Sequence, residues 1–217
     1  MIQLVAFLGN YGREYENTRH NVAWCFEKSL PYSGKFYWQD KYKSDFCAVD
    51  YAVFADWLRE NNLLKVREDG TAVLPKELPP KIYFMKPMTY MNLSGEAIGE
   101  AARFFKIEPK DILVVHDEIE LPLGTVSLKW SGGLGGHNGL RSTKNVLGTA
   151  DFWRLRFGVG KPANGNVADY VLGKFTSDEM ISLSQEFAVT NELFAKVLTS
   201  ADPTRFIQEW GKKKVIQ

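Results

Sequence analysis

The sequence is short of cysteine and has no long apolar run. Cys25 and Cys47 are the only cysteines in 217 residues and they form no C-x-x-C pair, which argues against a zinc ribbon or a disulfide scaffold. No apolar stretch approaches the roughly 20 residues that cross a bilayer, and no basic stretch precedes the first apolar run. Several catalytic signatures are missing as well. There is no G-x-S-x-G, no Gly-Lys-Ser/Thr phosphate loop and no His-Glu-x-x-His. The glycines at 132, 133, 135, 136 and 139 do not make G-x-G-x-x-G, because position 138 is Asn. An ordinary α/β-hydrolase, a P-loop nucleotide binder and a zincin are therefore disfavoured. With 45% apolar and 24% charged residues, the composition is that of a globular chain. The expectation is one soluble, cytoplasmic domain over 1–217.

Charge is present but unevenly placed. Leu121 to Phe175 carries seven basic residues (Lys129, Arg141, Lys144, Arg154, Arg156, Lys161, Lys174) against Asp151 and Asp169, a net +5 in a chain whose total is +1. Such asymmetry is either scatter of surface charge or the footprint of an anionic partner such as nucleic acid.

Apolar runs at Ile2–Leu8, Phe46–Val49, Ile82–Met85, Asp111–Val115, Thr125–Trp130 and Leu155–Val159 read as strands. Between them, helical spacing follows Asn17-Thr18 up to Leu30. It recurs after Ser94 (Ala97, Ile98, Ala101, Ala102, Phe104, Phe105), over Asn138–Leu147, and from Ser177 through Leu198. Strands alternating with helices predict an α/β domain around a largely buried mixed sheet. Residues 50–80 fit this alternation least. Val53–Leu64 reads as an amphipathic helix, Asp69-Gly70 as a hairpin turn, and the segment as a surface insertion or a lid over the site.

Polar residues gather where these strands end. Asn10 follows the first strand, Met91-Asn92 comes after Ile82–Met85, and His116-Asp117-Glu118 ends the Asp111 strand. His137-Asn138 lies in a glycine-rich turn, and His20 opens the first helix. In open α/β sheets the crevice beyond the strand carboxyl ends binds ligands, so these groups are expected to converge. Two chemistries suit them. A metal held by His20, His116, His137, Asp117 and Glu118 is one, but no ligand spacing beyond the neighbours 116 and 117 supports it. The other is metal-free hydrolysis: His20 as general base, Asp117 fixing its tautomer, and Asn amides donating to an oxyanion. The helix N-terminus is expected to keep His20 neutral.

At these residues the chain resembles the bacterial-type peptidyl-tRNA hydrolases. The blocks that carry the resemblance are Tyr15-Glu16-Asn17-Thr18-Arg19-His20-Asn21, Lys86-Pro87-Met88-Thr89-Tyr90-Met91-Asn92-Leu93-Ser94-Gly95 and His116-Asp117-Glu118-Ile119-Glu120-Leu121-Pro122-Leu123-Gly124. They continue with Gly132-Gly133-Leu134-Gly135-Gly136-His137-Asn138-Gly139, Arg154-Leu155-Arg156-Phe157-Gly158-Val159-Gly160 and, more weakly, Asp169-Tyr170-Val171-Leu172. The resemblance implies a single α/β domain with a twisted mixed sheet flanked by helices, acting as a monomer without cofactor or metal. It implies hydrolysis of the ester in peptidyl-tRNA, with His20 as base and Asp117 as its orienter. Asn10, Tyr15, Tyr90, Met91, Asn92 and Asn138 would contact substrate, while Lys129 and Arg156 would grip tRNA phosphate. The alternative is a catalytically silent RNA-binding relative, like the plant organelle splicing factors of this fold. The chain departs from the family pattern at Tyr11, where Pro is usual, at Ala23, where Gly is usual, at Trp130 and Ser131, and in the length of 50–80.

Overall fold

The computed structural model describes residues 1–68, 71–162 and 164–216. In chain order the elements are β1 (Leu4–Phe7), α1 (Val22–Ser29), β2 (Gln39–Lys41), β3 (Ser44–Asp50), α2 (Tyr51–Glu60), β4 (Lys81–Pro87) and α3 (Ser94–Phe105). They continue with β5 (Ile112–Glu118), β6 (Thr125–Trp130), α4 (Asn138–Leu147), β7 (Trp153–Gly158), α5 (Val167–Leu172), α6 (Ser177–Leu198), α7 (Ile207–Trp210) and β8 (Lys213–Lys214). The strands form one mixed sheet in the order β2-β3-β4-β1-β5-β7-β6-β8. The central β4, β1, β5 and β7 are parallel, and the outer strands join antiparallel.

Both sheet faces are covered, so the central strands are apolar on successive residues and not on every second one. Val5, Phe7, Leu113 and Val115 face a core shared with α1, α2 and α6. Their alternates Leu4, Ala6, Ile112 and Val114 face a second core under α3 and Leu140. Helices α3 and α4 cross closely at Gly95, where a Cβ would lie 2.2 Å from the Ser142 carbonyl oxygen. Thr176 and Glu179 make the capping box that starts α6.

Local details differ from the sequence expectations for physical reasons. Asn17 is left-handed (φ 60°), and Thr18 precedes a 3-10 turn at Arg19–Asn21, so the regular first helix begins only at Val22. Ser94 does not cap α3 from outside; it is the first helical residue, and its Oγ donates to the Met91 carbonyl at 2.9 Å. Phe104 leaves the apolar stripe and is 67% exposed. The short edge strand β2 carries no apolar pattern and had no signal.

The segment 50–80 leaves and rejoins the sheet at one end. Asp50 pairs with Lys81 at the end of β4 where that strand begins, opposite the carboxyl ends of the parallel strands. Helix α2 buries Tyr51, Phe54 and Leu58 in the first core, so it is part of the core as well as of the surface. Val66 bridges Ala72 antiparallel, while the Asp69-Gly70 turn lies outside the described residues.

Candidate active site

The chain crosses from β4 over β1 to β5, so the carboxyl ends of these three strands open on the crevice that such a crossover leaves. A cavity of about 720 Å³ occupies it. Asn10, Tyr15, His20, Tyr90, Met91, Asn92, Asp117 and Asn138 all line this cavity. Lys129 and Arg156 do not; they stand on β6 and β7, to one side of β5.

Asn10 is clamped from three directions. Its backbone N–H donates to Asn21 Oδ1 at 2.8 Å, its carbonyl accepts from Asn21 Nδ2 at 2.9 Å, and its own Oδ1 accepts the Met91 N–H at 2.8 Å. The last bond fixes the amide orientation and leaves Nδ2 as a donor at the cavity. Asn138 is similar: its Oδ1 accepts from Arg141 Nη1 at 3.0 Å, which leaves its Nδ2 available.

The imidazoles converge on one carboxylate oxygen. Asp117 Oδ1 lies 2.8 Å from His20 Nδ1 and 2.9 Å from His137 Nε2. His137 caps α4, and its Nδ1 accepts the backbone N–H groups of Gly139 (3.1 Å) and Leu140 (3.3 Å). An Nδ1 that accepts cannot carry the proton, so His137 must be protonated at Nε2 and must donate to Asp117. Oδ1 therefore accepts from both rings. His20 carries its proton on Nδ1, and its Nε2 is left with a lone pair toward the cavity. The α4 turn can approach because residue 139 is Gly; a Cβ there would lie 2.6 Å from Met91 Sδ.

Burial pushes the Asp117 carboxyl up, but the charges and hydrogen bonds of His20 and His137 outweigh it and hold the group well below the usual carboxylate range. For His20, burial lowers the pKa, yet the Asp117 charge and hydrogen bond outweigh burial and the net direction is up. The expectation that a helix N-terminus sets the state of His20 is thus corrected: His20 sits in the preceding 3-10 turn, and its carboxylate neighbour decides. His116 is fully buried beneath the site. Its Nδ1 donates to the Asp117 carbonyl at 2.6 Å, and burial, reinforced by His137, lowers its pKa well below the usual value and keeps it neutral.

His20, Asp117 and His137 place three donor atoms within 4.8 Å of one another. The hydrogen bonds around His137 speak against a metal there. Ligation through Nε2 would move the proton to Nδ1, against two backbone N–H groups that already point at it.

Arg156 donates to Glu118 Oε2 (3.2 Å) and Ser127 Oγ (2.6 Å), so its guanidinium is already engaged at the cavity edge. Among the described residues Lys129 makes no ion pair, and burial with the neighbouring Arg156 and Arg154 charges lowers its pKa. The sequence reading missed three features. Asn21, which clamps Asn10, carries no sequence signal beyond its motif. The wall formed by Val167, Ala168, Val171 and Leu172 of α5 had no signal beyond the weakest block. Arg19 ties the His20 turn to the carbonyls of Gly173 and Lys174 and to both oxygens of Glu179.

Comparisons with known proteins identify the family. The family model described as peptidyl-tRNA hydrolase matches residues 4–216. The peptidyl-tRNA hydrolase of Treponema pallidum (strain Nichols) is 41% identical over 219 residues, covering 99% of this chain and 97% of its own. That of Desulfitobacterium hafniense (strain Y51) is 39% identical over 185 residues, covering 85% and 86%. The crystal structure of peptidyl-tRNA hydrolase from Acinetobacter baumannii superposes with a TM-score of 0.77 at 28% identity, covering 99% and 97% of the two chains. Matched along nearly its whole length in sequence and fold, the chain belongs to the peptidyl-tRNA hydrolase family.

Proposed function

We propose that the protein hydrolyses the ester between a peptide's last carbonyl and the terminal ribose of tRNA, freeing the tRNA. The observation that carries this reading is the shared Asp117 oxygen, which fixes His20 with an unprotonated Nε2 facing a cavity bordered by side-chain amides. His20 Nε2 takes a proton from water as the oxygen attacks the carbonyl. The Nδ2 groups of Asn10 and Asn138 donate to the oxyanion, with Asn92 beside them, and Tyr15, Tyr90 and Met91 hold the peptide end. As the tetrahedral intermediate collapses, His20 returns the proton to the departing ribose oxygen. Asp117 stabilises the transient imidazolium.

Lys129 and Arg156 hold acceptor-arm phosphates in this reading. Lys129 offers an ammonium free of ion pairs among the described residues, and Arg156 a guanidinium braced by Glu118. Such contacts give salt-sensitive affinity with little sequence reading, as an enzyme serving every tRNA requires. No helix among the described residues is long and apolar enough to cross a membrane, and a cytoplasmic monomer needing no metal or cofactor is the working form we propose. The test is release of peptide from an N-blocked aminoacyl-tRNA by purified protein. Release that depends on His20 supports the reading. Binding of the substrate without turnover would make the chain a silent RNA-binding relative.

A further inference from the structure

Tyr11 is the residue that stands where the family pattern has Pro, and the hydrolytic mechanism does not use it. It is 37% exposed, and its ring centroid lies 4.8 Å from that of Tyr90, which is 47% exposed and borders the cavity. A single exposed aromatic needs no explanation. A pair differs: Tyr90 lines the cavity, Tyr11 packs against that ring from outside the lining, and both positions are fixed from below. Asn10, directly before Tyr11, is tied to Asn21 on one side and to the Met91 N–H on the other. The loop bearing Tyr11 and the loop bearing Tyr90 are therefore one braced unit, and the rings can receive a ligand with little ordering cost.

The sheet order says which end of the substrate meets them. Asp117 stands on β5; Lys129 and Arg156 lie on β6 and β7 to one side, whereas Tyr11 and Tyr90 follow β1 and β4 on the other. The carboxylate of Glu14 also stands beside Tyr11: after Tyr90, its charge is among the groups raising the Tyr11 hydroxyl's pKa. A polyanion is disfavoured there. We infer that Tyr11 and Tyr90 form an aromatic shelf for the peptide half of the substrate, and that Tyr11 is a specificity-determining residue favouring peptides with aromatic side chains next to the ester. This rests on the proposed esterase reading.

Ring-on-ring contact of this kind changes affinity by about 3- to 10-fold. The test compares kcat/KM for two esters on the same tRNA, one carrying N-acetyl-dialanine and the other N-acetyl-diphenylalanine. The wild type is expected to prefer the phenylalanyl ester by about 3- to 10-fold, mainly through KM. Tyr11→Phe should keep the preference, and Tyr11→Ala and Tyr11→Pro should lose it, with thermal melting confirming that each variant folds. A preference that survives in Tyr11→Ala, or that is absent in the wild type, overturns the shelf. A loss in Tyr11→Ala that is equal on both esters also overturns it, since that points to contact with the tRNA end. Absence of turnover on either ester by the wild type would instead refute the esterase reading.

Discussion

Replacing Asp117 by Asn tests the shared-oxygen geometry most directly. Two imidazole N–H groups aim at Oδ1, from His20 at 2.8 Å and His137 at 2.9 Å. The His137 proton cannot leave Nε2, because the Gly139 and Leu140 amides occupy Nδ1. An Asn at 117 must then turn its carbonyl oxygen toward both rings, and His20 keeps its productive tautomer. What is lost is the charge. Exchanging a charge-assisted bond for a neutral one costs about 1–2 kcal/mol, and the missing partner for the developing imidazolium adds about 1 kcal/mol. At 1.36 kcal/mol per factor of ten, kcat should fall roughly 30- to 160-fold. Adding His137→Asn, which retains a capping side chain but cannot reach residue 117, frees the amide to flip. The NH₂ would then face His20 Nδ1 and impose the wrong tautomer, and the loss should grow toward ~10⁴-fold. Because Asp117 is what raises the His20 pKa against burial, the acid limb of kcat/KM should also move to lower pH in the single variant. Stopped-flow or quench measurements of single-turnover ester cleavage across pH supply both numbers. A single Asp117→Asn variant that is fully active, or one already ~10⁴-fold impaired with no further loss on adding His137→Asn, would refute the reasoning.

Removing the base itself, His20→Ala, should lower kcat by about 10²–10⁴-fold while substrate Kd measured by filter binding changes little. Lys129→Ala should raise KM for full-length tRNA esters with kcat preserved and flatten the plot of log affinity against log salt by roughly 0.7–0.9. A minimal ester bearing only the terminal nucleoside should not sense that change, and equal losses on both substrates would remove Lys129 from the phosphate site. Glu186 in α6 is fully buried, among the described residues neither of its carboxyl oxygens is hydrogen-bonded to another side chain, and burial raises its pKa to about 8. Between the unfolded value of about 4.3 and that folded value the native state holds one proton more than the unfolded state, so stability falls by about 1.4 kcal/mol per pH unit as pH rises. Glu186→Gln should abolish this slope and melt above the wild type at pH 9; parallel melting curves from pH 5 to 9 would show that Glu186 does not titrate in that window.

Much was legible in the sequence because it is written locally. The continuous apolar strands Leu4–Phe7 and Ile112–Val115 declare a sheet buried on both faces, and the polar residues that stop them mark where a crevice opens. The motif residues His20, Asp117, Asn10, Asn92 and Asn138 were therefore nameable before any contact was known. Contacts across long stretches of chain were not. His20 and Asp117 are 97 residues apart, and nothing local says that His137 shares their oxygen or that its cap bonds to α4 choose the tautomer of both rings. The charge of Arg156 was visible, but its engagement with Glu118 and Ser127 required strands β5, β6 and β7 to be side by side. Residues 50–80 look like an insertion in sequence, and only the pairing of Asp50 with Lys81 shows that the segment leaves and rejoins the sheet at the end away from the cavity. Periodicity and capping act within a few residues and so determine which elements form. Tautomers, pKa directions and the walls of the cavity depend on charges and donors brought together by the sheet order, and those the tertiary structure alone decides.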